Sequence, residues 1–296
     1  MEQSTQVNNT FRKDLLFSVL VANYNNGQYL MEAIDSVRQQ TYSNWEIIIV
    51  DDCSSDISGD IYDSLQTDKR IHIYRNNKNY GCGYTKRCCV DKAMGDICGF
   101  LDPDDKLAIN ALAVMVDEHI RHPEVSLVYS TYYQCNEQMQ VEKVNKSTRI
   151  IPKNTDYLHY QRGAVHAFAS FKRNKYMLSD GINATYLRAV DQDLYYKMEE
   201  QGELLFHDEP LYYYRFHVGS ISIFANAFKA RYWHIIAIHD ACVRRAIFSD
   251  AEDIVSELLK INIGDVETLQ AALLRYQRPT LRTVCRVFKR WIKYRI

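Results

Sequence analysis

The chain has 296 residues with 47% hydrophobic and 25% charged side chains, an ordinary globular composition with room for one large α/β domain and a helical extension. A formal net charge of −1 excludes a general electrostatic pull toward nucleic acid, so no nucleic-acid partner is expected. The first fourteen residues are polar, without the apolar core of a signal peptide, and the early apolar run LLFSVLVA is too short to span a bilayer.

Leu15 to Ala22 is a continuous run of β-forming apolar residues, which predicts a strand buried on both faces. The polar turn NYNNG follows, and then YLMEAIDSVRQQ sets Leu30, Ile34 and Val37 at helical spacing. WEIIIVDD is the next buried strand and ends in Asp51 and Asp52. Strand, turn, helix and strand in this order predict a right-handed parallel βαβ unit, whose ligands sit beyond the carboxyl ends of the strands. IHIYRN predicts a short strand, and YTKRCCVDKAMG a helix stopped by Gly95. DICGFLDPDD is a third apolar strand with acids at its end. NALAVMVDEHIRHP predicts a helix ended before Pro123, and VSLVYSTYYQC a further strand. From Met139 to Gln161 the mixed polar sequence predicts a loop or edge hairpin over the site. VHAFASFKR then returns to strand, DLYYKMEEQG to helix, and ELLFHDEPLYYYRFH to strand and turn. Residues 226–276 predict two or three helices, with a break near Ile263 and Gly264. The expected organisation is a tail over 1–14, an α/β domain over 15–225 and a helical region over 226–296.

The eight cysteines include the adjacent Cys88 and Cys89 and no pair of CxxC motifs, so free thiols in a reducing cytoplasm are expected rather than disulfides or zinc.

Paired acids at two strand ends carry the chemistry. One such pair can simply cap the next helix, but two on the same rim favour a ligand. Asp102-x-Asp104 brings two carboxylates together where a strand turns. Hard oxygens of this kind suit Mg²⁺ or Mn²⁺, which take one or two protein carboxylates and complete their shell with phosphate oxygens. That arrangement neutralises a leaving diphosphate.

With SVLVANYN, EIIIVDDCSSD, NYGCGYTKR, AMGDICGFLDPDD, AVDQDL and YYYRFHVGSIS in this order, the chain resembles the family 2 glycosyltransferases over roughly residues 15–225. The resemblance implies a GT-A fold, a Rossmann-like and mostly parallel sheet flanked by helices. It implies an inverting enzyme that moves a sugar from a nucleotide donor, with UDP-sugar foremost, to a glycan or lipid-linked acceptor of a cell-surface polysaccharide. It places Ala22, Tyr24 and Asp52 at the base and ribose, Asp102 at the ribose, and Asp104 on Mn²⁺ or Mg²⁺. His217 would complete the metal site or touch the diphosphate, Arg215 is a candidate for phosphate, and Asp191 is the expected base, with Asp193 as its rival. Asp193 could otherwise cap a helix starting near Leu194, and Asp105 could cap the helix after it or support the ligand. Lys86 is expected at the nucleotide, where the family often has arginine, keeping the charge without the bidentate geometry, and Arg87 stands at an asparagine position. Tyr157, Tyr160, His166 and Tyr195 are candidates for stacking on acceptor sugars. The competing classes are a sugar nucleotidyltransferase and a non-catalytic sugar-nucleotide-binding relative. The first is disfavoured by the lack of a Gly-rich activation loop after the first strand.

The last segment sets Leu281, Val284, Cys285, Phe288 and Ile292 on one helical face, with Arg282, Arg286, Lys289, Arg290 and Lys293 largely elsewhere. Residues 279–296 are therefore expected either to lie on an anionic membrane surface or to dock on the protein's own domain. The first alternative makes a cytoplasmic protein peripheral to the inner face of the cell membrane.

Overall fold

The computed structural model describes residues 14–160, 163–217 and 227–247. The N-terminal half alternates strand and helix: β1 (Phe17–Asn23), α1 (Gly27–Arg38), β2 (Trp45–Asp51), α2 (Ser58–Leu65), β3 (Ile71–Arg75), α3 (Cys82–Lys92) and β4 (Ile97–Phe100). These four strands pair in parallel in the order β3-β2-β1-β4. The chain builds outward from β1 to one side and then returns to its other side, which leaves a topological switch point beyond the carboxyl ends of β1 and β4.

The sheet continues through β8 (Ala169–Lys172), β6 (Val125–Cys135), β9 (Glu203–Arg215) and β5 (Lys106–Leu107), with β7 (Val141–Val144) against β6. Here β8, β5 and β7 run antiparallel to their neighbours, while β6 and β9 are parallel, so parallel and antiparallel pairs are equal in number and the parallel ones have the longer registers. The remaining helices are α4 (Ala111–Arg121), the short α5 (Tyr157–Tyr160) and α6 (Arg173–Tyr176), α7 (Val190–Glu199) and α8 (Ala227–Arg244).

Alternation along the strands separates two cores. Val19, Val21, Ile47 and Ile49 pack with Leu30, Ile34 and Val37 of α1 and with Leu112 and Met115 of α4. Leu20, Ile48 and Val50 face the other way, onto Cys89 and Val90 of α3 and onto Leu194 and Met198 of α7. Each fully buried side chain of this size contributes roughly 1.5–3 kcal/mol, so the central strands are fixed by both layers.

The structure departs from the sequence expectations in several places. α2 was not foreseen, because SGDIYDSL offers few apolar positions, only Tyr62 and Leu65 of its large side chains being buried. The strand expected over VHAFASFKR forms only at Ala169–Lys172. β9 runs unbroken where a strand and turn were expected. Pro210 is accommodated where the β6–β9 register shifts at Thr131, a position that needs no ladder N–H. α7 begins at Val190, four residues before the expected start. Asp193 therefore caps nothing. It is 1% exposed inside the helix, with Lys197 Nζ at 2.6 Å and Arg244 Nη1 at 3.5 Å. The amphipathic segment 279–296 lies outside the described residues, as does the helical region beyond Ile247. Cys53, Cys82, Cys88, Cys89, Cys98 and Cys135 are free thiols. Among the described residues no helix is long and apolar enough to cross a membrane.

Candidate active site

Beyond the carboxyl ends of β1, β2 and β4 lies a cleft of about 740 Å³. All eight of the site residues expected from the sequence line it: Ala22, Tyr24, Asp52, Lys86, Asp102, Asp104, Asp191 and His217. They come from six separate segments of the chain, so only the fold assembles them.

Ala22 and Tyr24 flank the end of β1, and the Tyr24 ring is about half exposed on the rim. Asp52 follows β2 and is buried. One of its carboxylate oxygens accepts from Asn76 Nδ2 at 2.8 Å and the Tyr80 amide at 2.9 Å, the other from the Gly81 amide at 2.8 Å. Asp52 thus anchors the loop that leads into α3 as well as facing the cleft. Its neighbour Asp51 turns away, accepting from Tyr62 Oη at 2.8 Å and the Ser54 amide at 3.1 Å.

α3 is seated close to the segment before α7. A Cβ on Gly83 would meet the backbone oxygens of Asn183 and Tyr186 at 2.5 Å, and the Gly83 amide donates to Tyr186 O at 2.8 Å. Only glycine permits that approach. One turn further on, Lys86 reaches across. Its Nζ lies 2.8 Å from Asp191 Oδ1 and 3.2 Å from Asp102 Oδ1, and its side chain is 6% exposed. Burial works against the ammonium's charge, but the carboxylates of Asp102 and Asp191 outweigh it and hold Lys86 well above the usual lysine range. Desolvation raises the Asp102 carboxyl, with Lys86 pulling the other way.

The acidic turn after β4 divides its side chains. Asp104 Oδ2 lies 2.8 Å from His217 Nε2. Asp105 points inward, where it accepts from the Arg215 amide at 2.7 Å, and burial together with Asp104 and Asp102 raises it well above the carboxylate range. It is no helix cap, since α4 starts only at Ala111, after Asn110. Arg215, a candidate for phosphate, is likewise committed elsewhere. Its guanidinium meets Glu32 Oε2 at 2.5 Å and Asp104 O at 2.7 Å, and it lies 4.5 Å over the Tyr29 ring. Arg215 is a strut that ties α1 to the acidic turn. Arg87 donates to Ile182 O at 3.1 Å, away from the cleft.

Asp104 and His217 fit a divalent cation as a pair. They offer one hard oxygen and one imidazole nitrogen, side by side on the cleft wall. Among the described residues no third His, Cys, Asp or Glu joins them to form a protein-only cage, which leaves the remaining positions of an Mg²⁺ or Mn²⁺ to phosphate oxygens and water.

Several cleft residues carry no signal in the sequence, and three of them bring polar or charged groups to it. Tyr29 in the first turn of α1 packs its ring 5.3 Å from the His217 ring, and Glu137 and Arg188 also line the cleft. The expected acceptor aromatics are not at the cleft. Tyr157 and Tyr195 are 1% and 7% exposed core residues. Tyr160 packs beneath Arg149, and His166 packs edge-on to Tyr132.

The family model described as Glycosyl transferase family 2 matches residues 18–194. Glycosyltransferase GlyG of Streptococcus pneumoniae is 32% identical over 123 residues, 41% of this chain and 40% of that protein. The chain therefore spans well under two thirds of GlyG. The UDP-Glc:alpha-D-GlcNAc-diphosphoundecaprenol beta-1,3-glucosyltransferase WfaP of Escherichia coli is 29% identical over 222 residues, 72% of this chain and 82% of WfaP. The fold is shared with S. aureus TarS 1–349, solved in complex with UDP-GlcNAc, at a TM-score of 0.62 and 19% identity over 82% of this chain and 71% of that one.

Proposed function

The chain belongs to glycosyl transferase family 2, and from that premise we propose that it is an inverting glycosyltransferase that takes a UDP-sugar as donor. The observation that carries this reading is the convergence of Asp52, Lys86, Asp102, Asp104, Asp191 and His217 on one cleft at the switch point of the sheet. Acids on one wall suit the ribose and a cation; an acid held by a lysine on the other suits proton abstraction.

In this mechanism Tyr24 and Asp52 receive the base, and Asp102 receives the ribose. Asp104 and His217 would hold a divalent cation, which would supply charge neutralisation for the departing diphosphate. Asp191 accepts the proton of an acceptor hydroxyl. That oxygen then bonds to the anomeric carbon from the face opposite the diphosphate, and the carbon–oxygen bond to UDP breaks with inversion. The name of WfaP, with a diphosphoundecaprenol-linked acceptor, supports a lipid-linked or glycan acceptor in bacterial polysaccharide synthesis. The division into a GT-A domain over 15–225 and a helical region over 226–296, acting at the cytoplasmic face of the membrane, belongs to the same proposal.

A panel of sugar nucleotides with Mn²⁺ tests it. Release of UDP from one donor is expected. Release of pyrophosphate on incubation with sugar phosphate and UTP would identify a nucleotidyltransferase instead, and binding without turnover a non-catalytic relative.

A further inference from the structure

Lys86 was expected on nucleotide grounds alone, yet its shortest ion pair is with Asp191. We propose that Lys86 is a positioning residue for the Asp191 carboxylate, and that the same ammonium, by holding Asp102, ties the donor wall of the cleft to the base. This rests on Asp191 being the base.

Four observations support it. The ammonium bridges two carboxylates from different elements, Asp102 after β4 and Asp191 in the first turn of α7. Its third side is filled by the Phe100 ring at 4.9 Å, so the charge is held rather than free to wander. The backbone on both sides is fixed, because Gly83 sets α3 against the Asn183–Tyr186 turn that leads into α7. The Asp102 and Asp191 carboxylates lie 3.2 Å and 2.8 Å from the same ammonium, which makes them close neighbours of like charge. Without a cation between them they would splay apart, and the base would leave the position where an acceptor hydroxyl must meet it.

The test separates positioning from nucleotide binding. Lys86→Met removes the charge and keeps most of the length, while Lys86→Arg keeps the charge. UDP binding with Mn²⁺ is followed by calorimetry, and turnover by UDP release from the donor that the sugar-nucleotide panel selects. For Lys86→Met, kcat is expected to fall by about 100-fold, the scale of a displaced catalytic group, while donor KM and UDP affinity, touched only through Asp102, weaken by less than about tenfold. Lys86→Arg should recover at least about a tenth of the wild-type kcat, since charge is restored with a different geometry. Lys86→Gln stands in for the methionine variant if that one does not fold, with the same two readouts. A kcat left near wild type, or a loss confined to donor KM and UDP affinity, overturns the proposal. Asp191→Asn is the control: if it turns over normally the base itself is misassigned, whereas an inactive Asp191→Asn beside a normal Lys86→Met sinks only the positioning role.

Discussion

At the scale of single residues, two carboxylates in one cleft face different partners. Asp191 is paired with a buried ammonium, and Asp104 with an imidazole. Asp191→Asn preserves shape but cannot take a proton. Turnover is therefore expected to fall by about 10³-fold, the range of lost general-base catalysis, with UDP binding kept; unchanged turnover would remove Asp191 as base. Asp104→Ala removes one of two candidate cation ligands. The Mn²⁺-dependent part of UDP affinity should weaken by about tenfold or more, equivalent to about 1.4 kcal/mol, and calorimetry showing the same affinity with and without the substitution would refute the metal assignment. Asp104 stood out in the sequence because it sits in an acidic motif at a strand end, and Asp191 because it sits in the family motif AVDQDL. Arg215 shows where such reading stops. A cation beside the site suggested phosphate, but its hydrogen bonds with Glu32 and Asp104 O leave it a structural strut.

At the scale of elements, α4 carries a buried histidine that couples packing to pH. His119 is 2% exposed, its Nε2 lies 3.0 Å from Ser170 Oγ on β8, and its Nδ1 has no partner among the described residues. Burial, with Lys172 adding to it, pushes its pKa down to about 3. Because the folded value lies below the unfolded one, His119 contributes its full stability above about pH 6.5. That contribution is lost as the pH falls from there toward 3, because the unfolded chain binds the proton first. Between pH 7 and pH 5 this one group should cost about 2 kcal/mol. His119→Gln does not titrate, so the drop in unfolding free energy over that interval should shrink by about that amount in urea titrations. An identical drop in both proteins would show that the histidine is not the source. The element-level expectations were good wherever apolar periodicity was strong, as at β1, α1, β2 and β6. They failed at α2 and at the start of α7. α2 buries few large apolar residues, and Ala189 before α7 supplies no side-chain cap to announce the helix.

At the scale of the whole molecule, the proposed membrane contact lies in residues 279–296, outside the described residues. Deleting them is expected to abolish co-sedimentation with vesicles rich in anionic lipid while leaving UDP binding intact. Undiminished vesicle binding would exclude a lipid-binding tail, and a lowered unfolding temperature without any vesicle binding by the full chain would indicate docking on the protein itself. Order and chemistry of the site motifs were legible in the amino-acid sequence alone, because buried parallel strands are continuous apolar runs and the residues that follow them must face the ligand rim. That local logic determined the βαβ framework, the two acidic strand ends and the family resemblance. Partnership was decided only by tertiary structure. Lys86 meets Asp191 across 105 positions of sequence, and Asp104 meets His217 across 113. Neither pairing has a local signature, since each depends on how helices and strands stack on a sheet whose second half mixes parallel and antiparallel neighbours. For the same reason Tyr157 and Tyr195, equal in the sequence to any surface tyrosine, became core, while Tyr29 came to lie against His217.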